Sequence, residues 1–225
     1  MPRNEYQQRL ERLREDVLEM SDRVCDRLER ALTALETQDD TLAAAVITGD
    51  HAINERYLEI EQTCIELVAL QQPVASDLRF IAASFKIITD LERIADLAVN
   101  LAEYAQRVER RRYADVDIGY IGERVVETVA AAMAAYADGD ATGARDVAAE
   151  DDEIDRLCEN ASEFVVRDLL ETELEAEIGL TPDALFDEVS RLLLTIRDLE
   201  RVGDHAVNIA ARTLYMVEND DELIY

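Results

Sequence analysis

The sequence predicts an all-α fold made of two related halves of three helices each, and three observations support this prediction. Apolar residues recur at intervals of three and four along almost the whole chain, which is the periodicity of amphipathic helices. Only three prolines and seven glycines occur in 225 residues, so the helices can be long and uninterrupted. The segment Asp90–Ala102 returns 108 residues later as Asp198–Ala210, with nine of 13 positions identical. The chain is therefore predicted to be a duplicated helical bundle.

Each half is predicted to contain three helices, and the halves are residues 1–112 and 113–225. Asp39 or Asp40 can cap the second helix. Thr181 can cap the sixth helix, with Pro182 in its first turn, where proline is favoured. The predicted helices cover about residues 4–37, 39–72 and 74–111, then after a break at 113–119 a fourth ending near 138, and about 140–178 and 182–218.

The second helix of each half repeats at a different offset from the third. Asp50 and Asn54 correspond to Asp151 and Asp155, which lie 101 residues further along the chain. The offset thus grows by seven residues before the last helix. The longer link at residues 177–182 can absorb that insertion.

The charge balance limits the partners of the chain. Acidic residues number 51 against 23 basic ones, of which only Lys86 is lysine, and the formal net charge is −28. Such a surface repels nucleic acid and anionic membranes, so we predict no direct nucleic-acid binding. We interpret the acid excess as adaptation to high salt, where screening removes the self-repulsion. A merely acidic mesophilic protein is the alternative.

The N-terminal residues are charged rather than apolar, which is not typical of a signal peptide. No stretch approaches the roughly 20 apolar residues that span a bilayer. We therefore predict a cytoplasmic protein without membrane insertion. Cys25, Cys64 and Cys158 lie far apart, which favours buried free thiols over a disulfide or a zinc site.

The repeated segment places carboxylates on the face opposite its apolar stripe. On a helical wheel Glu92 and Asp96 align in the third helix, and Glu200 and Asp204 align in the sixth. Two carboxylates one turn apart repel each other unless they share a cation, and oxygen ligands suit Mg²⁺, Mn²⁺ or iron. An acidic solvated face is the alternative interpretation, although its recurrence in both halves argues against chance.

A second helix must complete such a metal site. Asp151 and Asp155 form a matching acidic stripe on the fifth helix. On the second helix the stripe is weaker, because Asn54 follows Asp50 where the fifth helix has a second carboxylate. We therefore expect tighter metal binding in the second half.

Other polar residues of the repeat are assigned structural roles. Asp90 and Asp198 are predicted to form ion pairs within their helices with Arg93 and Arg201, three residues further on. His205 is interpreted as a partly buried residue on the helix face, with a metal ligand as the alternative.

No catalytic motif is found. Neither His51 nor His205 follows a glutamate by three residues, as in ferritin-type di-iron sites. The sequence also has no glycine-rich phosphate loop and no GxSxG nucleophile motif. We predict that the chain is not an enzyme. A metal-dependent helical enzyme and a metal-free helical interaction protein are the alternatives.

Several motifs resemble the signature of the PhoU family of phosphate-signalling regulators. They are Gln71–Ile81, Lys86 and Asp90–Asp96 in the first half and Asp198–Ala210 in the second. The resemblance covers essentially the whole chain and implies two three-helix bundles related by pseudo-twofold symmetry. It also implies a negative regulator of phosphate uptake that acts with the ATPase subunit of a phosphate ABC transporter and, in many bacteria, a sensor kinase.

The resemblance further implies metal clusters on motifs of the form E/DxxxD. The family pattern falls on Glu92 with Asp96, Glu200 with Asp204, Asp50 with Asn54, and Asp151 with Asp155. The ion could be iron, manganese, magnesium or zinc. Ala95 replaces the glycine found at Gly203, and we expect this change not to matter. We also expect a homodimer.

Overall fold

The computed structural model describes residues 3–70, 73–107, 116–174 and 182–224. These residues form seven α-helices, and none of them lies in a strand. The predicted all-α fold is therefore confirmed. The helices are α1 (Arg3–Thr37), α2 (Asp40–Thr48), α3 (His51–Leu70), α4 (Ala75–Ala105), α5 (Ile118–Asp138), α6 (Ala141–Leu174) and α7 (Pro182–Glu218).

The predicted single second helix is wrong, because a break at Gly49 divides it into α2 and α3. Asp39 caps α2 by accepting hydrogen bonds from two backbone N–H groups, at 2.9 and 3.0 Å. Gly49 ends α2, and its N–H donates to the Ala45 carbonyl. Glycine is a poor helix former, whereas the corresponding position in the continuous helix α6 is Glu150.

The other helix ends follow local sequence signals. Helix α5 ends as predicted, since Gly139 adopts the left-handed conformation, with φ of 65°, that commonly terminates helices. Helix α4 ends at Ala105, earlier than predicted. Helix α5 begins within the predicted break, where the Asp117 side chain caps it. The predicted division of the halves at residues 112–113 and the predicted cap at Thr181 lie outside the described residues.

The helices pack as two bundles joined side by side. In the first half α1, α3 and α4 contact one another, and in the second half α5, α6 and α7 do the same. The halves meet along α4 and α7 and along α1 and α5, around one continuous apolar core. Cys64 and Cys158 are buried free thiols, as predicted, and Cys25 is a half-buried one. Within the described ranges, no helix is long and apolar enough to cross a membrane.

Helices α4 and α7 carry the repeated segments and exchange polar contacts across the junction of the halves. The first aspartate of each segment accepts hydrogen bonds from two side chains of the other half. Asp198 Oδ2 lies 3.2 Å from Asn100 Nδ2 and 2.9 Å from Tyr104 Oη, and Asp90 Oδ1 lies 2.9 Å from His205 Nδ1 and 3.3 Å from Asn208 Nδ2. The pseudo-twofold symmetry is thus visible in individual side chains.

The predicted ion pair of Asp90 with Arg93 is wrong, because Asp90 faces the other half instead of its own helix surface. Asp198 does contact Arg201, at 3.6 Å. The Asp198 side chain is fully buried, so its contacts with α4 stabilise the junction as well. His205 is partly buried, and its Nδ1 is held by Asp90.

Candidate metal site

The second half brings four of the predicted ligands together between α6 and α7. Asp151 and Asp155 lie one turn apart on α6, and Glu200 and Asp204 lie one turn apart on α7. Carboxylate oxygens of Asp151, Asp155 and Asp204 all lie within 4.8 Å of one another. Glu200 is close enough to Asp155 and Asp204 for their charges to act on it. We call these four residues the second-half cluster.

The second-half cluster holds unbalanced negative charge. Burial, followed by repulsion from Asp155 and Asp204, raises the pKa of Asp151 to about 7. Burial and neighbouring carboxylates also raise the pKa values of Asp155 and Glu200. Oδ1 of Asp151 is buried and has no hydrogen-bond partner among the residues that the structure describes. In the described parts of the chain no basic side chain forms an ion pair with the cluster, so a bound cation would relieve both the repulsion and the unpaired oxygen.

Gly203 allows α7 to approach the Asp151 carboxylate closely. A Cβ atom at this position would lie 2.8 Å from Asp151 Oδ1, a distance at which the carboxylate would have to move. The corresponding residue of the first half, Ala95, carries that methyl group and is buried. A methyl group at Gly203 would thus take up room that the Asp151 carboxylate uses, and the expectation that the replacement by Ala95 does not matter stays a prediction.

In the first half Asp50, which corresponds to Asp151, contacts two polar side chains. Asn54 Nδ2 donates to Asp50 Oδ2 at 2.9 Å. Arg27 of α1 forms an ion pair with the other oxygen, with Nη2 3.4 Å from Asp50 Oδ1. This contact is not a hydrogen bond, and among the described residues Asp50 Oδ1, like Asp151 Oδ1, is buried without a hydrogen-bond partner. Asp50 therefore contacts an amide and a guanidinium, whereas Asp151 contacts neither.

The α4 residues of the first half are paired as well. Arg93 lies 3.3 Å from Asp96 and 3.5 Å from Glu92. Burial and the Asp96 charge raise the pKa of Glu92, while Arg93 opposes that rise. Among the described residues Asp151, Asp155 and Asp204 are the one group of carboxylates that converges in the manner of a metal site. The structure thus brings Asp151, Asp155 and Asp204 together tightly, whereas Asp50, Asn54, Glu92 and Asp96 make other contacts.

Arg27 is the functional candidate that sequence analysis does not identify. It is only 6% exposed and lies among apolar core residues of α1 such as Val24 and Leu28. A comparison of the halves could have found it. At the offset of 101 residues that relates Val24 to Val125, Arg27 corresponds to the neutral residue Thr128.

The second-half cluster offers oxygen ligands. The nearby thiol of Cys158 is buried, and burial together with the surrounding carboxylates raises its pKa to about 12. The thiol is therefore protonated at neutral pH, which is not the form that binds metals. Carboxylate oxygens without nitrogen or thiolate suit hard cations such as Mn²⁺ and Mg²⁺. The residues present thus fit the kind of ion that the sequence predicted.

The chain matches known proteins over nearly its whole length. The PhoU domain family matches residues 17–105 and 118–213. A phosphate-specific transport system accessory protein PhoU homolog of Clostridium acetobutylicum is 30% identical over 96% of both chains. A homolog of Methanothermobacter thermautotrophicus with the same description is 33% identical over 96% of this chain and 95% of its own.

Two solved structures have the same fold. The crystal structure of PhoU from Pseudomonas aeruginosa has a TM-score of 0.87 and 32% identity, and covers 96% of this chain and 100% of its own. The phosphate transport system regulatory protein PhoU from Streptococcus pneumoniae has a TM-score of 0.85 and 26% identity, and covers 96% and 98% of the two chains.

Proposed function

Because this chain belongs to the PhoU family, we propose that it is a regulatory accessory protein that restrains phosphate uptake and binds a hard cation at its second-half cluster. The observation that carries the regulatory role is full-length similarity to proteins named as accessory or regulatory proteins of phosphate transport. Those relatives are not named as enzymes, so an adaptor role is favoured over a catalytic one.

The metal-binding part of the proposal is supported by the geometry of the second-half cluster. Three carboxylates whose oxygens lie within 4.8 Å of one another repel each other without a cation. Exposed acidic groups are common in a chain with a net charge of −28. Asp155 and Asp204 are themselves exposed, but Asp151 is half-buried, and among the described residues its Oδ1 has no hydrogen-bond partner. Manganese and magnesium fit the oxygen ligands better than zinc does.

The partner we propose is the ATPase subunit of a phosphate ABC transporter, together with a sensor kinase where one is present. The duplicated fold offers two similar surfaces, which suits a partner made of two related subunits. A bound cation would lower the negative charge of the second-half surface and so change how that surface meets its partner. The proposal includes a cytoplasmic location and a homodimeric state.

Deletion of the gene tests the regulatory role. We expect cells without this chain to continue taking up phosphate when phosphate is abundant, because the restraint on the transporter is gone. Uptake of labelled phosphate in rich and starved cells measures this effect. Normal shut-off in the deletion strain, with any paralogue also deleted, would contradict the regulatory role.

Complementation of the deletion strain separates regulation from metal binding. Wild type should restore shut-off, whereas the double variant Glu200→Gln, Asp204→Asn should restore it poorly. A matched control is Glu11→Gln, Glu15→Gln, which makes the same charge change on an exposed pair one turn apart on α1. Full activity of the Glu200/Asp204 variant would leave the regulatory role intact but reject the metal as part of it.

A further inference from the structure

The first half contains a buried positive charge at the place where a metal ion would be expected. Arg27 is 6% exposed, and its Nη2 lies 2.5 Å from the Val46 carbonyl and 3.4 Å from Asp50 Oδ1. The charges of Asp50 and Asp96 both act on its guanidinium. Arg27 on α1 therefore lies beside the carboxylates of Asp50 and Asp96, which belong to the first-half site.

The second half has a neutral residue at the equivalent position. Its equivalent residue, Thr128, is fully buried, and its hydroxyl donates to the Arg124 carbonyl of its own helix. The two halves differ at two further positions of the same site, where Asn54 and Ala95 replace Asp155 and Gly203. Arg27 in place of Thr128 and Asn54 in place of Asp155 both make the first-half site less negative. Ala95 in place of Gly203 adds a methyl group and so reduces the room inside the site.

A buried guanidinium and a metal ion compete for the same carboxylate. Arginine stays protonated at every pH that a protein experiences, so Arg27 needs a carboxylate partner once it is buried. Asp50 is the side chain that forms an ion pair with it. A divalent cation at Asp50 would have to displace Arg27 or lie beside its charge, and both are unfavourable.

We propose that Arg27 takes the place of a metal ion in the first half, so that each chain binds one ion, at the second-half cluster, and not two. This inference rests on the metal-binding part of the proposed function. It makes the duplicated molecule functionally asymmetric. Arg27 permanently offsets part of the negative charge of the first-half site, whereas the charge of the second half depends on the available metal.

The number of Mn²⁺ ions bound per chain, measured by calorimetric titration, tests this inference. Wild type should bind one ion, and Glu200→Gln, Asp204→Asn should abolish that binding. The surface variant Glu92→Gln, Asp96→Asn should still bind one. Two ions in wild type, falling to one in the Glu92/Asp96 variant, would overturn the inference.

Conversion of the first half into a copy of the second gives the complementary test. The triple variant Arg27→Thr, Asn54→Asp, Ala95→Gly should bind two ions. The control Arg30→Thr removes an exposed arginine from the same helix and should leave the number at one. A triple variant that is folded by circular dichroism but still binds one ion would also overturn the inference.

The two tests distinguish failure of the inference from failure of the proposed function. If wild type binds no ion, the metal-binding part of the proposed function fails, and the count of one ion per chain fails with it. A triple variant that then gains an ion would still show that Arg27 and its neighbours exclude metal from the first half. If the triple variant does not fold, the result for the Glu92/Asp96 variant decides, because that variant changes exposed or half-buried side chains only.

Discussion

Manganese at about 100 times its dissociation constant will raise the thermal midpoint of the wild-type chain by about 5–10 °C. A ligand at that concentration stabilises the folded state by about 2.7 kcal/mol. For a chain of this size, each kcal/mol shifts the midpoint by about 2–4 °C. The gain arises because the ion neutralises carboxylates that folding brings within 4.8 Å of one another. Differential scanning calorimetry with and without a chelator measures it.

The double variant Glu200→Gln, Asp204→Asn should lose this thermal gain, whereas the control Glu11→Gln, Glu15→Gln should keep it. Removal of Glu200 and Asp204 also removes repulsion, so we expect the variant to be more stable than wild type when both are metal-free. A gain from manganese that is equal in wild type and in the Glu200/Asp204 variant would place the ion elsewhere.

The same gain should depend on pH. In the folded state the pKa of Asp151 is about 7, well above its ordinary value of 3.8. A raised carboxylate pKa means that the folded state holds its proton more tightly than the unfolded state does. The metal-free protein therefore loses stability as the pH rises from about 4 to about 7. Since the ion must displace that proton, the thermal gain should shrink when the pH falls below about 7.

Replacement of Asp198 by alanine will lower the free energy of unfolding by about 3 kcal/mol. The substitution leaves Asn100 Nδ2 and the Tyr104 hydroxyl without their acceptor at the junction of α4 and α7. Each buried polar group left unpaired costs about 1–3 kcal/mol. Arg197 and Arg201 are about half exposed and can be solvated instead, so they add little to the loss.

Urea unfolding followed by circular dichroism measures the effect of Asp198→Ala. Asp90→Ala is the matched variant, because Asp90 occupies the symmetric position in the first half. It should cost less, since the Asp90 side chain is 15% exposed while that of Asp198 is fully buried. A loss for Asp198→Ala no larger than that for an exposed carboxylate such as Glu11 would contradict its role at the junction.

The sequence predicts the fold well because most of the relevant signals are local. Apolar periodicity identifies the helices, and short-range features such as the Asp39 cap and Gly139 set their ends. The repeat at Asp90 and Asp198 reveals the duplication. The break at Gly49 was missed because a single glycine within a strong helical pattern does not by itself end a helix.

The site is predicted only in part because its contacts join separate helices. Helical periodicity shows which face carries Glu200 and Asp204, but not which residue of another helix lies opposite. The sequence predicts that Asp90 pairs with Arg93 on its own helix, whereas in the structure Asp90 binds His205 across the junction. The sequence does not reveal Arg27 for the same reason. Arg27 lies on α1, whereas its partner Asp50 lies between α2 and α3. High-salt adaptation and homodimer formation remain predictions.

Anomalous diffraction from crystals soaked in Mn²⁺ tests the metal assignment most directly, because it locates the ion independently of any substitution. We predict one peak per chain, between α6 and α7, with Asp151, Asp155 and Asp204 among its ligands. No peak should lie beside Arg27 and Asp50. A peak in the first half, or no peak in either half at saturating manganese, would contradict the assignment.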